Sequence, residues 1–485
     1  MKSYPKPNSF DANLIVIGGG SAGLVSAYIA AAVQAKVILI EKHKMGGDCL
    51  NTGCVPSKAL IRAAKYVHQI SQAEKYGMKQ ASVEFDFTGI MRRVHDVIEK
   101  IEPHDSVERY TELGVEVIQG AATLTSPYSV EVNGKTLSAK NIIIAAGAQP
   151  FIPPIKGIDK ITPLTSDTLW SLQTQPRKLL VLGGGPIGCE LAQSFARLGS
   201  EVTQVEMLPR LMIREDEEVS QFVQRRFETE GVRVLCEHKA IEFKTKNGNK
   251  SLICEHAGNT VELEFDEVLV AVGRAARLEG FGLQELDVPI SKRRTIEVNE
   301  YMQAGYPSLY ACGDIAGPYQ FTHTASHQAW YASVNALFGK FKKFKVDYSV
   351  IPWATFTDPE VARVGINKQD AAEQNIQYEV TRYPLDDLDR AIAEGEDQGF
   401  IEVLTKPGSD QILGATIVGN QAGELIAEFV FAMRHKLGMN KILSTIHIYP
   451  TRMEAVKFAA GNWKKASTKA WQLKWLKRFH GWQRR

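Results

Sequence analysis

The chain has 485 residues, 44% apolar and 23% charged, with a formal net charge of +2. That length exceeds what one hydrophobic core supports, so about two to four domains are expected, with the apolar content of an ordinary soluble protein. No apolar run reaches the ~20 residues of a bilayer span, residues 1–11 lack the apolar core of a signal peptide, and six cysteines in so long a chain do not make a secreted disulfide framework, so a cytoplasmic protein is expected.

The first predicted element is a buried strand over 14–17. It runs into Gly18-Gly19-Gly20-Ser21-Ala22-Gly23, an alanine-rich helix, and a strand over 37–40 that ends in Glu41. Between Gly46 and Lys58 the chain then reads GGDCLNTGCVPSK, with Cys49 and Cys54 at i and i+5. That spacing can close a disulfide across about one helical turn, and Lys58, four residues beyond Cys54 on the same helix face, carries a charge that favours a thiolate. Zinc is a rival, but it takes about four ligands and no second Cys or Cys/His cluster completes the set. The other rival is a pair of buried, unreactive cysteines. In a reducing cytosol a catalytic pair is the sensible use of Cys49 and Cys54, whereas Cys189, Cys236, Cys254 and Cys312 read as small core residues.

A second strand-glycine-helix-strand unit follows. Residues 179–182 lead into Gly183-Gly184-Gly185-Pro186-Ile187-Gly188, a helix, and a short strand ending in Glu206; the distance from first glycine to glutamate equals that from Gly18 to Glu41. One such loop is weak evidence, but two with matched acidic stops point to two bound dinucleotides. The glycines bring backbone N–H groups to a pyrophosphate at a helix N-terminus, and each glutamate accepts hydrogen bonds from ribose hydroxyls. The first cradle is assigned Gly18, Gly20, Ser21, Ala22, Gly23, Glu41 and Lys42, and the second Gly183, Gly185, Ile187, Gly188 and Glu206. Glu206 would repel a 2′-phosphate, which favours NADH. Arg210 and Arg214 keep NADPH as the alternative, unless they pair with Glu215, Asp216, Glu217 and Glu218.

The last stretch, from Lys464 to Arg485, carries eight Lys/Arg and no Asp/Glu, so the rest of the chain sums to +2 − 8 = −6. Trp471, Trp475, Phe479 and Trp482 fall at spacings of four, four and three, an aromatic stripe along one helix face. The pattern suits peripheral contact with a membrane interface; packing of the stripe on the protein's own dimer is the alternative, and no nucleic-acid partner is expected.

In the order of these motifs the chain resembles the FAD-dependent pyridine nucleotide-disulfide oxidoreductases, which include dihydrolipoamide dehydrogenase, glutathione reductase and mercuric reductase. The likeness extends over about 12–462. Further marks are Ile142-Ile143-Ile144-Ala145-Ala146-Gly147, with Ala146 replacing the usual threonine, Ala271-Val272-Gly273-Arg274, Leu309-Tyr310-Ala311-Cys312-Gly313-Asp314, and Phe356-Thr357-Asp358-Pro359-Glu360. The resemblance implies an α/β fold with two Rossmann-like domains, for FAD and NAD(P), and an α+β C-terminal dimerisation domain. The divisions expected are 1–150 (FAD, first segment), 151–275 (NAD(P)), 276–346 (FAD, second segment), 347–463 (dimerisation) and 464–485 (basic aromatic tail).

The resemblance also implies roles. Cys54 is the thiolate next to the flavin and Cys49 the outer thiol that meets substrate; Lys58 lies near the flavin's reactive nitrogen with Glu190 as its acidic partner, although a helix first-turn acid is the plainer reading of Glu190. Gly47, Asp48, Lys58, Gly147, Gly273 and Asp314 join the cofactor contacts, and no resident metal is implied. Pro186 replaces the tyrosine that several relatives place over the nicotinamide.

Near the C-terminus the chain reads His447-Ile448-Tyr449-Pro450-Thr451-Arg452-Met453-Glu454. Dithiol-using relatives place an acid/base histidine directly before the proline, held by the glutamate. Here that position is Tyr449, whose pKa near ~10 makes it a poor proton shuttle. Mercuric reductase also has tyrosine there, where it helps ligate metal, but this sequence has no cysteine after Cys312 and no N-terminal metal-binding module. The expected function is therefore a homodimeric, mercuric reductase-like flavoprotein in which Tyr449 and Glu454 complete the other subunit's site. It takes electrons from NAD(P)H through FAD to Cys49–Cys54 and on to a small-molecule acceptor: soft metal, disulfide, quinone or oxygen. A dihydrolipoamide dehydrogenase-type activity and a flavin redox sensor without steady turnover are the alternatives.

Overall fold

A computed structural model describes residues 2–79 and 81–484; Arg485, counted in the basic tail, lies outside the described residues. The chain divides into two compact units, one of residues 1–73, 79–207 and 231–347, the other of 74–78, 208–230 and 348–485.

The first unit is α/β. Its seven-stranded sheet runs Val115–Gln119, Val37–Glu41, Ala12–Ile17, Lys135–Ile144 in parallel, and Leu309–Ala311 joins the Ile142 to Ile144 end of the last of these. Ser129–Val132 and Thr123–Ser126 continue it antiparallel. Leu14, Ile15, Val16, Ile38, Leu39, Ile142 and Ile143 are buried at consecutive positions, which requires cover on both faces of the sheet. Burying each such side chain stabilises the fold by about 1.5–3 kcal/mol. Helices Ser21–Ala32 and Thr322–Phe338 pack together, and each buries alanines, Ala27 and Ala30 on one and Ala325, Ala329 and Ala332 on the other. Because Ile17 is level with both Ile40 and Ile144, and Ile144 with Ala311, the carboxyl ends of four strands meet at one edge. Such an edge is where open parallel sheets bind ligands.

The same unit holds a second parallel sheet, Arg233–Leu235, Glu201–Val205, Lys178–Leu182, Glu267–Val270, with helix Pro186–Arg197 after its third strand. An antiparallel layer, Lys239–Lys246, Asn249–His256, Asn259–Phe265, packs Phe243, Leu252 and Phe265 against Leu180, Leu182 and Val268. A short ribbon pairs Ala148–Pro150 with Arg274–Ala276. Of the four cysteines expected in the core, Cys189, Cys254 and Cys312 are buried, but Cys236, just past a strand end, is only half-buried.

The second unit is built on an antiparallel sheet, Pro352–Thr355, Glu360–Gly365, Ile412–Gly419, Phe400–Thr405, Glu379–Pro384. Its core gathers Ile401, Val403, Ile417, Phe429, Val456 and Trp463. Helix Glu454–Ser467 buries Ala455, Val456, Ala459, Ala460 and Trp463 along one face and runs through Lys464 and Lys465. After a break at Thr468 and Lys469, helix Ala470–Gln483 carries the aromatic stripe and buries none of its residues. Among the described residues no helix is long and apolar enough to cross a membrane.

Candidate active site

Cys49 and Cys54 do not share a helix, as their spacing alone suggested. Cys49 lies in the short helix Gly47–Asn51, and Cys54 is the first residue of helix Cys54–Ser71. Gly53 stands between them with non-helical backbone, φ −119° and ψ −105°, and a Cβ there would lie 2.9 Å from the carbonyl oxygen of Asp48. Trp170 holds the linker, its indole N–H donating to Thr52 O and Ser166 O at 2.9 and 2.7 Å. Both thiols are free, with Cys49 half-buried and Cys54 exposed, and they hydrogen-bond each other.

That hydrogen bond from Cys49 is the main reason the Cys54 thiol is pulled down to about 5; partial loss of hydration at the sulfur opposes it, while the Thr322 hydroxyl and the Lys58 ammonium add to it. The helix N-terminus at Cys54 favours a thiolate in the same sense. The same contact, together with burial, pushes the Cys49 thiol far up. The pair thus loses one proton early and keeps the other on Cys49. Lys58 donates to Glu190 Oε2 at 2.8 Å and to Ser57 Oγ at 3.3 Å. Glu190 is buried and lies in the second turn of Pro186–Arg197, past the first turn where a dipole-stabilised acid belongs.

Asp48 meets Arg274, which also donates to Ala148 O and Ser166 Oγ and lies 3.7 Å from Asp167. Arg274 so ties the cysteine segment to the ribbon beyond Gly147. Burial raises the Asp48 carboxyl against the pull of Arg274. Asp314, at the shared strand edge, is pushed up to about 6 by burial and remains mostly ionised at neutral pH. Gly147 and Gly273 have positive φ, 68° and 134°, at either end of the ribbon. Lys42 is exposed.

The two glycine loops repeat one design. Gly18 and Gly183 have φ of 106° and 118°, and an added Cβ would lie 2.4 Å from Ala145 O on the first and 2.5 Å from Ala271 O on the second, so only glycine fits. Gly23 and Gly188 admit the helix against the strand: their added Cβ atoms would stand 1.7 and 2.3 Å from Gly18 O and Gly183 O. Gly185, by contrast, faces open space, and Gly20 meets only Gly47 Cα at 3.7 Å. The loops are therefore open where backbone N–H groups would meet a pyrophosphate, and each precedes a 12-residue helix, starting at Ser21 and Pro186. The residues present fit a dinucleotide in both cradles. Glu41 Oε2 accepts from Gly19 N at 2.5 Å and Glu206 Oε2 from Gly184 N at 2.6 Å, which aims each carboxylate from its strand end toward its own loop. Gly46 N also donates to Gly19 O at 2.9 Å, clipping the start of the cysteine segment to the first cradle beside Ser21, whose hydroxyl reaches Cys49. Ala22 is buried behind that loop, and Ile187 stands exposed on the second.

In the second unit, Tyr449 is exposed and its hydroxyl donates to Asp389 Oδ2 at 3.0 Å, a bond that pushes its pKa up. His447 has both ring nitrogens on acceptors, Nδ1 on Thr445 O at 3.0 Å and Nε2 on Glu428 at 3.0 and 3.1 Å. Glu454, buried, accepts from Thr451 N at 3.3 Å. Arg210 and Arg214 do not pair with the acidic run that follows them. Arg210 donates to Ile213 O, Glu215 O and Gln369 Oε1, Arg214 is exposed, and Glu215 is taken by Arg363 at 3.2 Å and by the Trp353 indole at 2.8 Å.

Sequence reasoning missed Thr322, which sits 3.5 Å from Cys54, and the bridging by Arg274 and Asp167. Thr322 opens the helix that follows the Leu309 to Asp314 motif, the one local hint of it. Among the described residues no group of three or more His, Cys, Asp or Glu is placed to hold a metal ion.

The pyridine nucleotide-disulphide oxidoreductase family model matches residues 12–329, and that of its dimerisation domain residues 351–460. A dihydrolipoyl dehydrogenase of Chlamydia pneumoniae is 36% identical over 445 residues, 91% of this chain and 94% of that protein. A mercuric reductase of Lysinibacillus sphaericus is 33% identical over 454 residues, 93% of this chain and 83% of that protein. Among solved structures, the HOCl-induced flavoprotein disulfide reductase RclA from Escherichia coli superimposes with a TM-score of 0.83 at 25% identity, covering 93% of this chain and 99% of its own.

Proposed function

The chain belongs to the pyridine nucleotide-disulphide oxidoreductases, and we propose that it uses NADH to reduce a soft metal ion, with Hg(II) as the probe. The family uses FAD and NAD(P)H. Bound FAD supplies the two-electron exchange between nicotinamide and a disulfide. The first cradle, with Asp314 and Lys58, would hold FAD, and the second, with Glu206, the nicotinamide nucleotide. NADH is favoured because Glu206 repels a 2′-phosphate and the Arg210 guanidinium is spent on Ile213, Glu215 and Gln369.

The observation that carries the acceptor is Tyr449. A phenol whose pKa is raised further by its bond to Asp389 cannot exchange protons with an outer thiol at neutral pH. His447 offers no substitute, since both its nitrogens are engaged. Reduction of a disulfide needs protons delivered to leaving thiolates, whereas a soft metal ion is drawn to thiolates as they stand. In balance, NADH and a proton convert the Cys49–Cys54 disulfide to two thiols and NAD⁺. The two thiols then bind Hg(II) and release two protons, and a second NADH, through the exchange that bound FAD would supply, gives the two electrons that leave Hg(0) and the thiol pair, so each turnover sums to NADH + Hg(II) → NAD⁺ + H⁺ + Hg(0). The low Cys54 pKa keeps one thiolate ready, and Lys58, held by Glu190, keeps a cation beside it.

The dimerisation domain supports a homodimer. Exposed Ile446, Ile448 and Tyr449 form an apolar segment that suits burial against a second copy, where Tyr449 and Glu454 are proposed to serve that copy's cysteines. The test is steady-state turnover of the holoenzyme with NADH and thiol-complexed Hg(II), against lipoamide at equal concentration. Mercury-dependent NADH oxidation lost in Cys49→Ser is expected; lipoamide turnover without mercury turnover would refute the reading and return the protein to a dihydrolipoamide-type activity.

A further inference from the structure

Helix Ala470–Gln483 has no buried residue, although it carries three tryptophans, a phenylalanine and two leucines. At about 100° per residue, Trp471, Trp482, Trp475 and Phe479 fall within an arc of about 80°. Trp475 and Phe479 stack with centroids 5.5 Å apart and planes 5° from parallel, and Trp482 follows at 6.3 Å from Phe479. The aromatic face is therefore formed, continuous and uncovered, with Trp471 and Trp482 at 64% and 71% exposure. Lys474, Lys477, Arg478 and Arg484 lie on the remaining circumference.

We propose that this helix lies flat in the headgroup layer of an anionic lipid bilayer, its aromatic arc toward the acyl chains and its basic side chains among the phosphates. Its fourteen residues span about 21 Å, too short for a bilayer crossing, so it lies on the surface and does not pass through. Charge complementarity selects the partner. The tail from Lys464 has eight cations and no anion while the rest of the chain sums to −6, so attraction to an acidic surface is local to this segment. A nucleic acid would satisfy the cations but leave the aromatic arc in water; an anionic bilayer satisfies both at once. A homodimer presents the helix twice, which raises avidity without any new contact.

The test is co-sedimentation of the full-length holoprotein with phosphatidylcholine vesicles, with and without phosphatidylglycerol, at low and high salt. Wild type should pellet with the phosphatidylglycerol vesicles and release with salt. Lys474→Gln, Lys477→Gln and Arg478→Gln combined should weaken partition about 100-fold, at about fivefold for each basic residue. Trp471→Ala, Trp475→Ala and Trp482→Ala combined should abolish the blue shift of tryptophan fluorescence on vesicle addition. Both variants should keep wild-type flavin content and NADH turnover, which shows the fold intact. Wild type that fails to pellet at low salt, or that pellets equally in both variants, overturns the proposal. So does binding to duplex DNA without binding to vesicles, or a change of oligomeric state in the tryptophan variant when wild type ignores vesicles.

Discussion

Replacing Cys49 by alanine in the reduced protein should raise the ionisation midpoint of Cys54, because the Cys49 thiol is the largest contributor to its low value of about 5. A hydrogen bond to a charged group is worth about 1.5–3 kcal/mol, and one pKa unit corresponds to about 1.4 kcal/mol, so the midpoint should move up about one to two units. Cys49→Ser keeps a donor on the side chain and should move it less. The assay is the pH dependence of iodoacetamide alkylation, with Cys54 read by peptide mass mapping. Absolute rates at neutral pH are a poor guide. A midpoint of about 5 rather than ~8.5 raises the thiolate fraction at pH 7 from about 3% to about 99%, but the less basic thiolate is intrinsically slower by roughly the same factor. The midpoint is the diagnostic. Thiolate is present above it, so wild-type alkylation should stay on a plateau down to about pH 6 and fall through about 5. A wild-type midpoint near 8.5, or identical midpoints in the serine and alanine variants, would refute the assignment.

Three further predictions come from the same geometry. Gly185→Ala, whose methyl meets nothing, should leave the fold and flavin content intact yet raise the KM for NADH on the order of tenfold, while Gly188→Ala, 2.3 Å from Gly183 O, should cost about 1–3 kcal/mol of stability in urea denaturation. Lys58→Met removes the ammonium held by buried Glu190 and should lower stability by about 2 kcal/mol by the same measurement. That is below the cost of opening a fully buried pair, because Lys58 is 37% exposed, and Glu190→Gln in the same background should recover most of the loss. Glu206→Gln should shift the ratio of kcat/KM values toward NADPH by on the order of tenfold, measured with both nucleotides on one preparation.

Much of the site could be read along the chain because its constraints are local. Gly18 and Gly183 must be glycine for reasons set within a few ångströms of backbone, and so the two loops announced themselves with their glutamates at matched distance. The Lys58 and Glu190 pairing came only through family likeness; by position alone Glu190 read as a helix-start acid, and its place in the second turn shows why that reading fails. What stayed hidden rests on contacts between residues far apart in sequence. Thr322 reaches Cys54 across 268 positions and Arg274 reaches Asp48 across 226, with no periodicity to betray either. The acidic run after Arg210 misled for the same reason, since Glu215 is claimed by Arg363 and Trp353 from the following sheet. The i and i+5 spacing of the cysteines suggested one helical turn, but Gly53 divides it and sets Cys54 at a helix start.

The most direct test of the account is an anaerobic titration of the holoenzyme with NADH, with new thiols counted by alkylation and mass mapping. If Cys49 and Cys54 form the electron relay, wild type takes up a second equivalent of NADH beyond that needed by its flavin and exposes both thiols to alkylation, while Cys49→Ser stops at one equivalent. If both proteins stop at one equivalent and no new thiol appears, the cysteines lie outside the electron path and the proposed mechanism is wrong.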